Sequence, residues 1–505
     1  MSEKGPGQLL KHKANGVYIP TTEPLSPRWS FLLAVTGIAM TIGTGIPVGY
    51  NIGSMNSPSE FMKTWCTESI LIQYSYQLKQ DELNLVWSTI IAIFLVGGCA
   101  GSLTAAKLAD KFGRKGAMFC CASLFSIGGF LLYFCRLIMS VEVMLLARFI
   151  VGIASGTTTA VLGMYLAEIA PSELRGTVAT LSALGVTAGV VVAQVVTLQQ
   201  LLGTEDLWHY AIGFYVILIV ICFLPYPWFP ESPKYLFIVR KDAEAARKEL
   251  LRLRHGDGGV EHLNQIDAEI LLMEEEAQTQ SKTRSLLSVL TDKQLMLPVI
   301  LVCALPAGQQ LSGVNAIFIY SVEMFKAAGV SSENAKLANL GVGVLNLMVA
   351  LAGPKIMEKF NRRPIFLLSV LFSGFFLVIL TIFYVNVKLV SWFSFACVLS
   401  VLGYIFVFQI GLGPLPYFIG SELFEISTRP AAMALSSLAS WLGNFIVGIS
   451  FPTISEILEG YVFLPFAVQC FLLFTFCYRY LPESRGKEPA ELAPLMSEGF
   501  KSKCR

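Results

Sequence analysis

Charge is what this 505-residue chain has least of. Asp, Glu, Lys and Arg make up 14% of it, about half the share of an ordinary soluble domain, while hydrophobic residues make up 54%. A soluble helical protein needs a polar face on each surface helix, and this composition cannot supply one. The net charge of +2 gives no surface for nucleic acid and no strongly acidic or basic partner. Histidine is scarce as well. His12, His209, His255 and His262 are scattered, and no Ser/His/Asp set, metal cluster or phosphate-binding glycine loop accompanies them. The expectation is a protein that is not an enzyme and uses no cofactor or metal. Most of the eleven cysteines lie in apolar runs (Cys99, Cys120, Cys121, Cys222, Cys303, Cys397, Cys470). Only Cys66 falls in an outer loop, so small apolar fillers are expected rather than a disulfide framework. A cleavable signal is missing too: Met1 to Arg28 is polar, and the apolar run from Trp29 is too long for a signal core.

What the chain has instead is long apolar runs. Crossing the hydrocarbon layer takes about 20 apolar residues, and twelve candidates stand near 29–50, 86–106, 117–136, 143–166, 178–201, 208–229, 296–320, 335–357, 364–385, 391–421, 431–452 and 459–481. Residues 230–295 break this composition with charged sequence of helical period. There Val260, Leu263, Ile266, Ile270 and Met273 mark one face of an amphipathic helix, in a stretch too short to build its own core. Lys111, Arg114, Lys115, Arg175, Lys359, Arg362 and Arg363 cluster in alternate loops and in the linker. The positive-inside rule therefore puts both termini and the linker in the cytoplasm. The expected organisation is a tail at 1–28, six spans in 29–229, a cytoplasmic helical linker at 230–295, six spans in 296–481 and a tail at 482–505.

The two six-span halves repeat each other. Asp110-Lys-Phe-Gly-Arg114-Lys115 after the second span matches Glu358-Lys-Phe-Asn-Arg362-Arg363 after the eighth. Glu168 and Arg175 end the fourth span with the same spacing as Glu422 and Arg429 at the end of the tenth. Pro230-Glu-Ser-Pro-Lys234 matches Pro482-Glu-Ser-Arg-Gly486. Isolated surface ion pairs would contribute little. Charged signatures placed twice at matching positions point to a cytoplasmic network tying the halves together, closed when the outer side is open. Its expected members are Asp110, Arg114, Arg148, Glu168, Arg175, Glu358, Arg362, Arg363, Glu422 and Arg429.

With these motifs, and with Gln309-Gln310-Leu311-Ser312-Gly313-Val314-Asn315, the chain resembles the sugar porter family of the major facilitator superfamily, specifically animal facilitative glucose transporters, from about Trp29 to Lys487. The resemblance implies an all-α membrane fold of twelve helices in two pseudo-symmetric six-helix bundles, with a sugar site between them and membrane lipid around them. Physical chemistry asks for a similar site. A hexose sheds water in an apolar setting only if its hydroxyls find partners, and neutral amides both donate and accept. The spans offer Gln194, Gln309, Gln310, Asn315, Asn346, Gln409 and Asn444. Gly411-Leu-Gly-Pro-Leu-Pro416 is expected to break the tenth span as the family's mobile gate, with Tyr417 and the retained Trp441 beside the sugar path.

Relative to that family the chain departs at several sugar contacts. Ala183 replaces a glutamine, Tyr417 a tryptophan, Gln409 a glutamate, Ser440 an asparagine and Ile319 a tyrosine. Glucose is the first expectation, from the Gln310-Leu-Ser312 triplet, with fructose or a broader hexose range open. Proton-driven relatives carry an aspartate in the first span where this chain has Asn51. An amide cannot bind and release a proton near neutral pH, so uniport without ion coupling is expected, at the plasma membrane. A sugar receptor with a transporter fold is the alternative, disfavoured by the short tail after Pro482. Asn56-Ser57-Pro58 is a near miss for glycosylation, lacking Ser or Thr at its third position.

Overall fold

The computed structural model describes residues 13–14, 17–18, 29–171, 174–254, 260–280, 286–390, 392–425, 428–485, 487, 489–496 and 499–501. Nine helices among them are long and apolar enough to cross a membrane. One, Gln80–Ile138, has 59 residues, roughly 88 Å if straight, nearly three times a hydrocarbon layer. It turns back at Gly113, whose φ of 83° and ψ of 169° interrupt the helix. A β-carbon there would meet the Glu231 carboxylate at 2.2 Å, so only glycine serves. The shorter apolar helices Trp208–Phe223 and Leu464–Tyr480 complete a set of twelve spans.

In order, the first half holds the first span Phe31–Gly53, the second and third in Gln80–Ile138, the fourth Val141–Ile169, the fifth Arg175–Val196 and the sixth Trp208–Phe223. The second half holds a seventh span in two pieces, Met296–Leu311 and Val314–Ala327, then the eighth Ser332–Lys359 and ninth Arg362–Val385. The tenth is also split, into Phe393–Ile410 and Leu415–Leu423, and Arg429–Leu458 and Leu464–Tyr480 finish the half.

Glycine sets how closely the first half packs. A β-carbon on Gly49 would lie 1.8 Å from the Val186 carbonyl, and one on Gly189 2.2 Å from that of Ile46. The first and fifth spans thus touch backbone to backbone, as small residues at four-residue spacing allow in lipid. In the same way Gly97 of the second span meets Gly152 of the fourth, Gly98 meets Gly156, and Gly101 meets the Ile153 carbonyl.

Outside the membrane, the linker forms Ala243–Leu253 and Val260–Gln280. As expected from their period, Ile266 and Met273 are buried against Leu250, with Ile270 and Phe237 beside them, while Leu263 stays exposed. Arg254 docks the linker beneath the fourth span, donating to Ile169 O at 2.8 Å and pairing with Glu269. This side of the molecule is termed the linker face. Three features went unforeseen: a loop helix Ser59–Tyr74 on the far face, a two-strand hairpin pairing Lys13–Ala14 with Val17–Tyr18, and a tail helix Pro489–Met496 with Leu492 and Met496 buried.

Candidate substrate site

The seventh span breaks at Ser312–Gly313, where Gly313 takes φ +85° with the Phe466 ring 2.9 Å from where a β-carbon would stand. The turn brings Asn315 back onto the preceding segment, and its Nδ2 donates to Gln310 Oε1 at 2.6 Å. Gln310 Nε2 in turn donates to Ser440 Oγ at 3.1 Å and Gln309 Oε1 at 3.3 Å. Ser440, noted in the sequence only as a lost amide, is therefore a working partner of the central glutamine. Tyr417 lies beside it on the inner piece of the tenth span, 52% exposed although mid-span, so its surface faces open space.

The other amides divide. Gln309 does not offer its amide nitrogen to the gap: Nε2 donates to Leu412 O at 3.0 Å and to Gly413 O, meeting carbonyls freed by the break in the tenth span. Gln409 folds over Gly413 at that break. Asn346 and Asn444 are buried, and each keeps an Oδ1 without a hydrogen-bond partner. An unmet acceptor is costly in a dry interior. Gln194 lies elsewhere. Its Nε2 donates to Asn339 Oδ1 at 2.9 Å, and Asn339 accepts from Ser321 at 2.8 Å and from Asn56 at 3.3 Å.

That second polar group seals the far face. Asn56 of the first half donates to Phe318 O at 2.8 Å and to Ser321 Oγ at 2.9 Å in the second. Above it, Lys63 pairs with Glu323 at 2.8 Å and Glu60 with Lys326 at 2.9 Å, both across the halves. Trp441 sits deeper, edge-on to Phe94 and laid against Gly98, where a β-carbon would come within 2.3 Å of its ring. Beneath the seal remains a cavity of about 10 Å³ between Phe94, Leu95 and Arg148 on one side and Asn315, Ile319 and Asn444 on the other. It has room for about one water, not a monosaccharide. Toward the linker face the inner surfaces are bare. Ala183 is exposed and shares a face of the fifth span with Thr187 and Gln194.

The expected cytoplasmic network needs one correction. Arg148 is not part of it. It lies two turns into the fourth span from the far face, 3% exposed, donating to Asn51 O at 3.0 Å with its guanidinium 4.4 Å from the Phe94 ring. Among the described residues, the ion pairs of the remaining charges lie inside each half. Arg114 meets Glu168 at 3.0 Å and Asp110 at 3.1 Å, and Arg362 meets Glu422 at 3.5 Å. With the far face sealed, the latch stands open in this conformation. Arg429 caps Phe424 O, Arg363 Nη2 donates to Tyr478 O, and Arg175 is exposed. The Glu358 side chain lies outside the described residues.

Two glutamates missed by the gate reading hold the turns. Glu231 Oε1 accepts the backbone N–H groups of Arg114, Lys115 and Ser232, and Glu483 accepts those of Arg362, Arg363 and Arg485. The Pro-Glu-Ser repeat was the signal for them: a carboxylate at a helix start meets orphan N–H groups. Burial lifts the Glu231 carboxyl above its usual range, outweighing those three bonds and the nearby Arg114. Asn56, Ser321 and Asn339 gave no signal beyond being polar in apolar surroundings.

Two six-span halves, sealed on one face and parted over a polar centre on the other, define a membrane carrier. The family model for sugar (and other) transporters matches residues 37–495, and the chain belongs to that family. It is 35% identical over 452 residues to solute carrier family 2, facilitated glucose transporter member 3 of Ovis aries, covering 90% of each chain. Member 5 of Equus caballus is 34% identical over 472 residues, covering 92% of each. Among solved structures, the xylose transporter XylE from E. coli in a partially occluded inward-open conformation superposes with a TM-score of 0.75 at 21% identity, covering 91% of this chain and 100% of that one. The proton:xylose symporter XylE bound to 6-bromo-6-deoxy-D-glucose gives 0.74 at 22%, covering 92% and 99%. These likenesses establish the twelve-helix major facilitator fold. The chain is a multi-pass membrane sugar transporter and not an enzyme.

Proposed function

We propose that this chain is a facilitative hexose uniporter of the plasma membrane, with glucose as its preferred substrate, working by alternating access. The observation that carries the reading is the convergence of Gln310, Asn315 and Ser440, with Asn444 and its unmet Oδ1 lining the same cavity as Asn315. A hexose entering there exchanges water for donors and acceptors of both kinds. Tyr417 and Trp441 supply ring faces, Gln409 lies at the gate helix, and Gln309 and Gln194 act through the tenth-span break and the far-face seal. The bundles 29–229 and 296–481 rock about this centre, joined by the linker 230–295 and flanked by tails 1–28 and 482–505. The linker face is read as cytoplasmic, with both termini on it, because the loops there carry the basic residues. Its charges, Asp110, Arg114, Glu168, Arg175, Glu358, Arg362, Arg363, Glu422 and Arg429, latch the halves when the far face opens.

Absence of ion coupling is supported by Asn51. The buried Arg148 rests on the backbone carbonyl of Asn51, and among the described residues it pairs with no carboxylate. The relatives named for facilitated glucose transport favour the same reading, whereas XylE, named a proton symporter, is similar in fold. The test is uptake of radiolabelled D-glucose and D-fructose into proteoliposomes with and without an imposed pH gradient. Saturable glucose uptake that is indifferent to the gradient supports the proposal. Uptake that rises several-fold with the gradient overturns uniport, fructose uptake alone overturns the preference, and no uptake of any hexose points to a receptor.

A further inference from the structure

The break in the seventh span is what turns Asn315 onto Gln310, so whatever fixes the break fixes the pair. Opening a helix inside a bilayer strips carbonyls of their partners, and no water replaces them there. Three freed carbonyls find partners, two of them locally. Gln310 O accepts from Gly313 N at 3.1 Å, and Gln309 O accepts from Ser312 Oγ at 2.6 Å. The third, Ser312 O, depends on another helix: the Tyr404 hydroxyl donates to it at 3.1 Å and also lies 2.9 Å from Ser312 Oγ. Tyr404 belongs to the tenth span, is completely buried and shows no surface to the gap between the halves. Opposite it, the Phe466 ring closes on Gly313. The break is thus held by one hydroxyl and one ring.

We propose that Tyr404 is a positioning residue of the sugar site: without touching substrate, its hydroxyl holds the Ser312–Gly313 break so that Gln310 and Asn315 meet in binding register. This rests on the reading that the pair binds hexose. Aromatic packing alone would be served equally by phenylalanine, whereas the hydroxyl is aimed at Ser312 O, a freed carbonyl with which it makes a hydrogen bond.

Tyr404→Phe removes one oxygen and keeps the ring. In proteoliposomes of the full chain, KM and the equilibrium Kd for D-glucose should rise about tenfold, the scale of a buried hydrogen bond lost with its partner left unmet, with turnover at saturating sugar little changed. A double-mutant cycle separates positioning from simple packing. If Tyr404 acts through Asn315, Tyr404→Phe adds little once Asn315 is already alanine. An unchanged KM in Tyr404→Phe, or its full factor repeated in the Asn315→Ala background, overturns the proposal. Should Asn315→Ala itself leave the hexose KM unchanged, the site reading fails and this inference with it. Ser312→Ala removes the other partner of the Tyr404 hydroxyl and carries the same cycle if Tyr404→Phe does not reach the membrane, with a smaller shift in the same direction expected and additivity again contradicting.

Discussion

On the linker face the two halves are near copies. Ser232 donates to Glu168 and Ser484 to Glu422; Arg114 and Arg362 pair with the same glutamates; Glu231 and Glu483 hold the turns that follow the second and eighth spans. Deep in the membrane the likeness ends. Gly49-Tyr50-Asn51 in the first span and Gly313-Val314-Asn315 in the seventh occupy matching places. The first stays helical through Gly49, and Asn51 Nδ2 returns to Pro47 O at 2.9 Å. The seventh breaks at Gly313, and Asn315 is spent on Gln310. The fourth span runs unbroken for 29 residues, whereas its counterpart, the tenth, is split. Duplication supplied two equal sets of turns and latches; the seventh and tenth spans of the second half are broken where the first and fourth are not. A broken helix in lipid exposes backbone groups that can be redirected, and an intact one does not.

That contrast can be broken at several points, the largest where the halves touch. Gly98→Leu puts a side chain into the seat of Trp441 and should prevent closure of the far face. Uptake should fall about a hundredfold at unchanged surface expression, given the cost of overpacking such a contact. Wild-type rates would show that Trp441 does not need that seat. Next, Asn315→Ala leaves Gln310 Oε1 unmet and should cut uptake about tenfold, while Asn51→Ala, losing a bond within its own helix and a contact with Tyr215 inside its own half, should change it far less. Equal effects would erase the distinction between intact and broken spans.

Smaller differences test the near copies. Glu483→Gln should destabilise the protein by about 1.5–3 kcal/mol, the range for hydrogen bonds to a charged acceptor. Glu231→Gln should cost less, because burial already favours the neutral carboxyl there. The sign follows from linkage: a carboxyl lifted above its ordinary 4.5 binds its proton more tightly when folded. Its contribution is complete below that value and is lost as pH rises through the raised one. Thermal melts across this window should show a slope in wild type that Glu231→Gln flattens. The smallest effect belongs to the far-face ion pairs. Lys63→Ala should shift the conformational balance by only about 0.2–1 kcal/mol, and less in high salt, read as the salt dependence of uptake.

Much of this was legible in the sequence because membranes impose simple periods. Span count, linker helix and the break before Tyr417 followed from apolar runs, charge and proline. The gate motifs were found without their partners: a motif gives side-chain types at a place in the chain, and which half each charge turns to depends on the conformation. Arg148 was grouped with the other arginines by type, although its distance from the start of the fourth span already placed it near the far face. Gln309 and Gln194 read as ligands because an amide in an apolar run looks the same whether it meets a sugar, a freed carbonyl or another helix. The break at Ser312–Gly313 was not foreseen, since a single glycine inside a long apolar run is also compatible with an unbroken helix.

Counterflow in proteoliposomes, with unlabelled D-glucose inside and a trace of radiolabelled D-glucose outside, addresses the role of the second-half amides most directly when wild type and Gln310→Ala are compared. The account predicts transient accumulation of label in wild type, at equal pH on both sides, and almost none with Gln310→Ala. Accumulation undiminished by Gln310→Ala, or none in wild type for any hexose, would contradict it.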